Sequence, residues 1–122
     1  VKHIAVSNIS PERLRESLEF SEKNNLPKYQ ALQPLYNLVE RKGYETVYAP
    51  IVAEYNLTVF PYFALAAGFL TGKYRSETDF SKSPRGQRMA QYLNEQGLNI
   101  LNAYLLNLIL VVPLPAQHPK SN

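Results

Sequence analysis

Four side chains able to meet a flat, amide-bearing ligand stand at equivalent places in the chain, each at the end of a short apolar run. Ser7 and Asn8 follow residues 3–6, Gln33 closes residues 29–33 just before Pro34, and Tyr62 closes residues 57–62. An amide such as a nicotinamide carboxamide offers one donor and one acceptor, and Ser7, Asn8 and Gln33 can match both. Tyr62 can present a face on which a heteroaromatic ring stacks. The chain then runs Phe63-Ala64-Leu65-Ala66-Ala67-Gly68-Phe69-Leu70-Thr71-Gly72-Lys73-Tyr74. Gly68 and Gly72 let backbone approach a ligand closely and Lys73 adds a positive charge, which together suit a pyrophosphate. Each residue also has an ordinary structural reading: Ser7-Asn8 as a helix-capping turn, Gln33 as a strand-end polar group, Tyr62 as core.

To bring these side chains together the apolar runs must be neighbouring strands, and the segments between them read as helices. Ser10 is a good N-cap and Pro11 a good first helical residue, Leu14 and Leu18 lie one turn apart, and Asn24-Asn25 closes the helix. Pro34 stops the second strand, and a loop with Tyr36, Asn37, Glu40 and Arg41 follows. From Tyr44, the positions Val47, Tyr48, Ile51, Val52 and Tyr55 repeat at helical spacing, with Pro50 expected to remove one backbone bond and distort the first turn. Past the third strand a polar loop is expected over residues 75–83, then a helix over 86–96 with Gly97 as its stop, and another helix starting at 98–103. Residues 104–112 have no polar face, and Pro113, Pro115 and Pro119 end regular structure. Strand-helix-strand-helix-strand predicts a parallel sheet with right-handed crossovers, whose ligands sit at the carboxyl ends of the strands. Ser7, Asn8, Gln33 and Tyr62 all fall there.

The composition is that of a single folded domain. At 122 residues, 45% hydrophobic and 19% charged, the chain has enough apolar content to argue against wholesale disorder. A net charge of +3 and an isoelectric point near 9.2 come from scattered Lys and Arg, which read as solvated surface; no nucleic-acid partner is expected. The absence of cysteine removes disulfides and thiolate zinc sites, and the two histidines, His3 and His118, stand at opposite ends. No metal site is expected. The N-terminus lacks a charged-then-apolar leader, and the longest apolar stretch, 104–114, is interrupted by Asn107 and short for a bilayer. A soluble, cytoplasmic protein with no membrane partner is the expectation. Val1 suggests an unusual start or the tail of something longer.

Three runs carry a resemblance. His3-Ile4-Ala5-Val6-Ser7-Asn8-Ile9-Ser10-Pro11-Glu12-Arg13-Leu14, then Leu32-Gln33-Pro34-Leu35-Tyr36-Asn37-Leu38-Val39-Glu40-Arg41, then Pro61 through Tyr74 closely resemble aldo-keto reductases, particularly bacterial members. The likeness covers about residues 2–103. It implies an NADP-dependent carbonyl reductase on a TIM (β/α)8 barrel, with this chain as a partial α/β barrel of about three parallel β/α units, resembling units 5 to 7, plus C-terminal helices. The family's pattern assigns Ser7, Asn8 and Gln33 to the carboxamide and Tyr62 to the ring face. It lays Ala64, Leu65, Gly68, Leu70, Gly72 and Lys73 along the pyrophosphate, largely through backbone groups. Ala5 stands where the family usually has glycine, Ile9 where phenylalanine is common, and Ala67 where a serine often reaches the phosphates, which should loosen cofactor binding.

The resemblance also implies what to expect beyond these residues. The family's catalytic aspartate, tyrosine, lysine and histidine belong to earlier strands, and nothing in the chain corresponds to them; no catalytic residue is assigned. The strand and helix that grip the adenosine 2′-phosphate would come later. The expected domain is 1–103, with 104–122 a divergent tail, apolar and then proline-rich, in which Pro115-Ala116-Gln117 still matches a family tripeptide. A gene lesion such as a frameshift near Ala103 would account for that change. The expected protein is therefore a truncated aldo-keto reductase, inactive alone and short of part of its NADP site. The alternative is a non-catalytic nucleotide-binding or interaction module completed by another chain. Uncovered sheet edges would favour self-association or such a complementing chain.

Overall fold

Alternation along three short strands decides which side chains are covered. In the computed structural model, which describes residues 1–82, 84 and 86–111, β1 (Ala5–Ser7), β2 (Ala31–Gln33) and β3 (Thr58–Val59) pair in parallel in that order. Val6 is opposite Leu32, and Leu32 opposite Val59, so these three share one face and Ser7 with Gln33 share the other. The apolar face is covered by helices. Leu14, Leu18, Leu32, Ile51 and Leu57 form a buried core, with Val6, Ile9, Tyr48, Val52 and Tyr55 packed against it.

The first crossover follows its sequence signals. Ser10 Oγ accepts the Arg13 N–H at 3.2 Å at the start of α1 (Pro11–Lys23), Pro11 fills the first turn, and Asn24 closes the helix. Leu14 and Leu18 are fully buried. In the second crossover the expected distortion takes a definite form. Tyr44–Tyr48 winds as a π-helical turn and hands over to α2 (Ala49–Tyr55), with the Ala49 N–H bonded to the Tyr44 carbonyl five residues back. Pro50 follows directly inside this continuous helical run, where its missing N–H is the one backbone bond the sequence leads one to expect lost.

The third strand is shorter than the expected 57–62. Only Thr58–Val59 pairs as a ladder, because Pro34 has no N–H with which to continue it. The chain still runs alongside. Phe60 N–H donates to the Leu32 carbonyl at 3.0 Å and Tyr62 N–H to the Pro34 carbonyl at 2.9 Å.

The chain divides into two compact units, Val1–Ala67 and Gly68–Asn122. In the second, short 3₁₀ turns over Glu77–Lys82 and Gly86–Tyr92 precede α3 (Glu95–Val111), and a further turn, Ala66–Thr71, straddles the division. The segment expected as a plain polar loop is pinned by Asp79, whose carboxylate accepts the Arg75 N–H at 2.8 Å and the Ser76 N–H at 3.1 Å.

Gly97 requires a correction. The sequence reading has it end a helix over 86–96, whereas the structure has a 3₁₀ turn there and Gly97 in the first turn of α3. Asn94 begins that helix, its Oδ1 accepting the Gly97 N–H at 2.9 Å and its carbonyl the Leu98 N–H at 2.9 Å. A Cβ on residue 97 would lie 1.9 Å from the Tyr92 carbonyl oxygen, so glycine is needed for a close approach rather than a stop. The apolar run from Tyr104 is helical as far as Val111. Val112, Pro113, Pro115, Pro119, the tripeptide 115–117 and His118 lie outside the described residues.

Candidate functional site

At the carboxyl ends of the three strands the first unit opens a cleft of about 340 Å³ whose lining includes Asn8, Gln33 and Tyr62. Three of the four side chains singled out at strand ends therefore meet in one place. Asn8 takes a left-handed conformation, φ 52°, which asparagine tolerates better than most residues. Its Oδ1 lies 3.5 Å from the Tyr62 hydroxyl. Ser7 joins the group from the side, its hydroxyl donating to the Gln33 carbonyl at 2.9 Å. The carboxamides of Asn8 and Gln33 are exposed and the Tyr62 ring is half-buried.

The opposite wall comes from the π turn and the loop before it, with Glu40, Tyr44 and Tyr48 in the lining. Sequence reasoning missed this wall. Tyr44 and Tyr48 are four residues apart, a spacing that places them on one helical face and reads equally as core. Tyr48 has a second task, since its hydroxyl donates to the Ile9 carbonyl at 2.6 Å and fixes the turn that leaves β1. Burial pushes its hydroxyl pKa up, helped by the charge of Glu12, so it remains a neutral donor. Outside the wall, Glu45 accepts from Arg41 Nε and from the Tyr36 hydroxyl, both at 2.8 Å. These donors, Arg41 first, hold its carboxyl below the usual range. The Tyr36 and Tyr44 rings stack obliquely with centroids 4.6 Å apart.

The residues assigned to phosphate do not lie in this lining. Ala64 and Leu65 are exposed near the end of the first unit, while Gly68, Leu70, Gly72 and Lys73 belong to the second. There Gly68 and Gly72 adopt φ of 105° and 80°, values that favour glycine. Thr71 Oγ donates to the Gly68 carbonyl at 2.7 Å. The Leu70 side chain is buried, which leaves its backbone as the part able to meet a ligand, and Lys73 is exposed.

Among the described residues no group of three His, Asp or Glu side chains could hold a metal ion, and no helix is long and apolar enough to cross a membrane. The donor set of the cleft suits an uncharged planar amide, with two carboxamides beside an aromatic face. No match was found among curated proteins. A family model does match: residues 1–109 fit the aldo/keto reductase family, a match that runs past Ala103 almost to the end of α3. With nine-tenths of its length covered, the chain belongs to the aldo/keto reductase family.

Proposed function

We propose that the first unit supplies the nicotinamide side of an NADP(H) site in a carbonyl reductase. The observation that carries this reading is the convergence of Asn8, Gln33 and Tyr62 on one cleft at the carboxyl ends of β1, β2 and β3. Asn8 and Gln33 would bind the carboxamide, Ser7 would brace Gln33 through its bond to the Gln33 carbonyl, and Tyr62 would cover one face of the ring. When bound, the nicotinamide supplies hydride to a carbonyl carbon. Covering one face of the ring keeps water from that side and leaves the other for substrate.

For the phosphates the reading rests on the second unit by itself, on the left-handed Gly68 and Gly72 and the cation of Lys73. Reduction also needs a positioned proton donor. The family resemblance puts that donor on earlier β/α units, so we infer that this chain alone binds cofactor without turning over.

The test is a titration of the chain with NADPH, followed by the cofactor's fluorescence, in wild type, Asn8→Ala, Gln33→Ala and Tyr62→Ala. Saturable binding that weakens roughly 2- to 10-fold in each variant is expected, the size of one lost hydrogen bond or ring contact. Binding that ignores all three substitutions would remove the cleft from the cofactor site. Oxidation of NADPH with an aromatic aldehyde by the pure chain would overturn the inactivity.

A second reading, a module completed by another chain, is favoured by Phe60, Phe63 and Leu65, which are 57%, 48% and 51% exposed in one short segment beside the outer edge of β3. It expects the same sample to run in gel filtration as an oligomer. A sharply melting monomer would count against it.

A further inference from the structure

Asn37 is buried, at 7% exposure, and polar, and its amide joins two loops. Its Oδ1 accepts the N–H groups of Val39 at 2.9 Å and Glu40 at 2.8 Å, folding the loop after β2 into a tight turn. Its Nδ2 donates in the other direction, to the Phe63 carbonyl at 3.1 Å. That carbonyl is also taken by the Ala66 N–H at 2.7 Å. Phe63 sits at φ 54°, a left-handed conformation costly for a bulky residue, which persists where its surroundings hold it. One residue earlier, the Tyr62 N–H is bonded to Pro34.

Tyr62 is thus bracketed: its own N–H is held by the loop after β2, and the carbonyl of its successor by Asn37 from the same loop. The geometry points to Asn37 as a positioning residue, which sets the aim of the Tyr62 ring in the cleft without touching the ligand. This rests on the cofactor reading for its functional consequence, while the clamp itself stands on the bonds above. It predicts that the turn and the clamp are separable, because Oδ1 serves one and Nδ2 the other.

Asn37→Asp separates them. An ionised carboxylate keeps the acceptor for Val39 and Glu40 but faces the Phe63 oxygen with no proton to donate. Glu40 and Arg41, the ionisable residues of the same turn, are unchanged in every variant. Amide exchange by NMR gives a readout independent of ligand. At pH 7 the variant's Tyr62 N–H should exchange about tenfold faster than wild type at the same pH, while Phe60 N–H, bonded to Leu32, stays within about twofold. Asn37→Ser, too short to reach Phe63, should show the same fast Tyr62 exchange.

The affinity for NADP⁺, read by tyrosine fluorescence, should fall about tenfold in Asn37→Asp at pH 7. In a Tyr62→Ala background the same substitution should change affinity less than twofold. Equal acceleration of Tyr62 and Phe60, no acceleration at either, an undiminished effect in Tyr62→Ala, or failure of both variants to fold overturns the proposal, the last because Asn37 would then be a folding residue. Wild-type chain that binds no NADP⁺ would sink the cofactor reading alone, and the exchange pattern would still decide the clamp.

Discussion

The two units of this chain are stabilised by different means. In the first, Val1–Ala67, strands and helices present apolar stripes that meet in one core of Leu14, Leu18, Leu32, Ile51 and Leu57. In the second, 3₁₀ turns precede the one α-helix found among the described residues, and burial falls on larger, irregularly spaced side chains such as Phe69, Met89 and Tyr92. The Phe69 and Tyr92 rings lie 5.8 Å apart. Short polar side chains do the local fastening, Asp79 at one turn and Asn94 at the start of α3. Side-chain volume should therefore limit the first unit, and backbone clearance the second.

The sharpest way to break that contrast is Leu32→Ala. Leu32 is 1% exposed at the centre of the sheet and core, and truncating such a leucine costs about 2–5 kcal/mol. Residue-level hydrogen exchange should show the Phe60 and Tyr62 amides, both tied to the loop and strand around Leu32, losing protection by that amount. The Leu98 amide, bonded to Asn94 in the second unit, should keep its own. Loss of protection at Leu98 to the same extent would mean one cooperative unit rather than two.

Gly97→Ala tests the other side. The added Cβ would stand 1.9 Å from the Tyr92 oxygen, so the backbone must move. A cost of about 1–3 kcal/mol is expected, as for other overpacked sites, appearing as loss of Leu98 protection and of helical circular dichroism. An unchanged or higher helix content would instead restore the view of Gly97 as a dispensable helix breaker, since alanine is the better helix former.

The same contrast explains what the sequence made legible. The first crossover could be read almost residue by residue, because Ser10, Pro11, Leu14, Leu18 and Asn24 act through local rules that tertiary structure did not override. Gln33 stands at a strand end that Pro34 announces, whereas Tyr62 lies three residues past β3 and is held beside Pro34 by its own N–H. The π turn was not readable in form, since Pro50 signals a distortion without saying that the turn widens before it. The Gly97 stop failed because a glycine needed for contact with a carbonyl looks, in sequence, like a glycine needed for a turn. Asn37 read as one more polar loop residue; its bond to Phe63 spans 26 positions, and no local pattern carries that.

The smallest effect sharpens the comparison within the first unit, at the latch outside the cleft. Glu45 has its folded pKa lowered from 4.5 by hydrogen bonds from Arg41, first, and Tyr36. A depressed carboxylate contributes stability above its unfolded pKa and loses it as pH falls through the folded value. The stability gap between wild type and Glu45→Gln should therefore be present at pH 6 and close progressively below about pH 4.5. The group is solvent-exposed, so the gap should be small and shrink further in salt. Urea unfolding across that pH range measures it. A gap that grew on acidification would reverse the sign and mean that Arg41 and Tyr36 hold the neutral form instead.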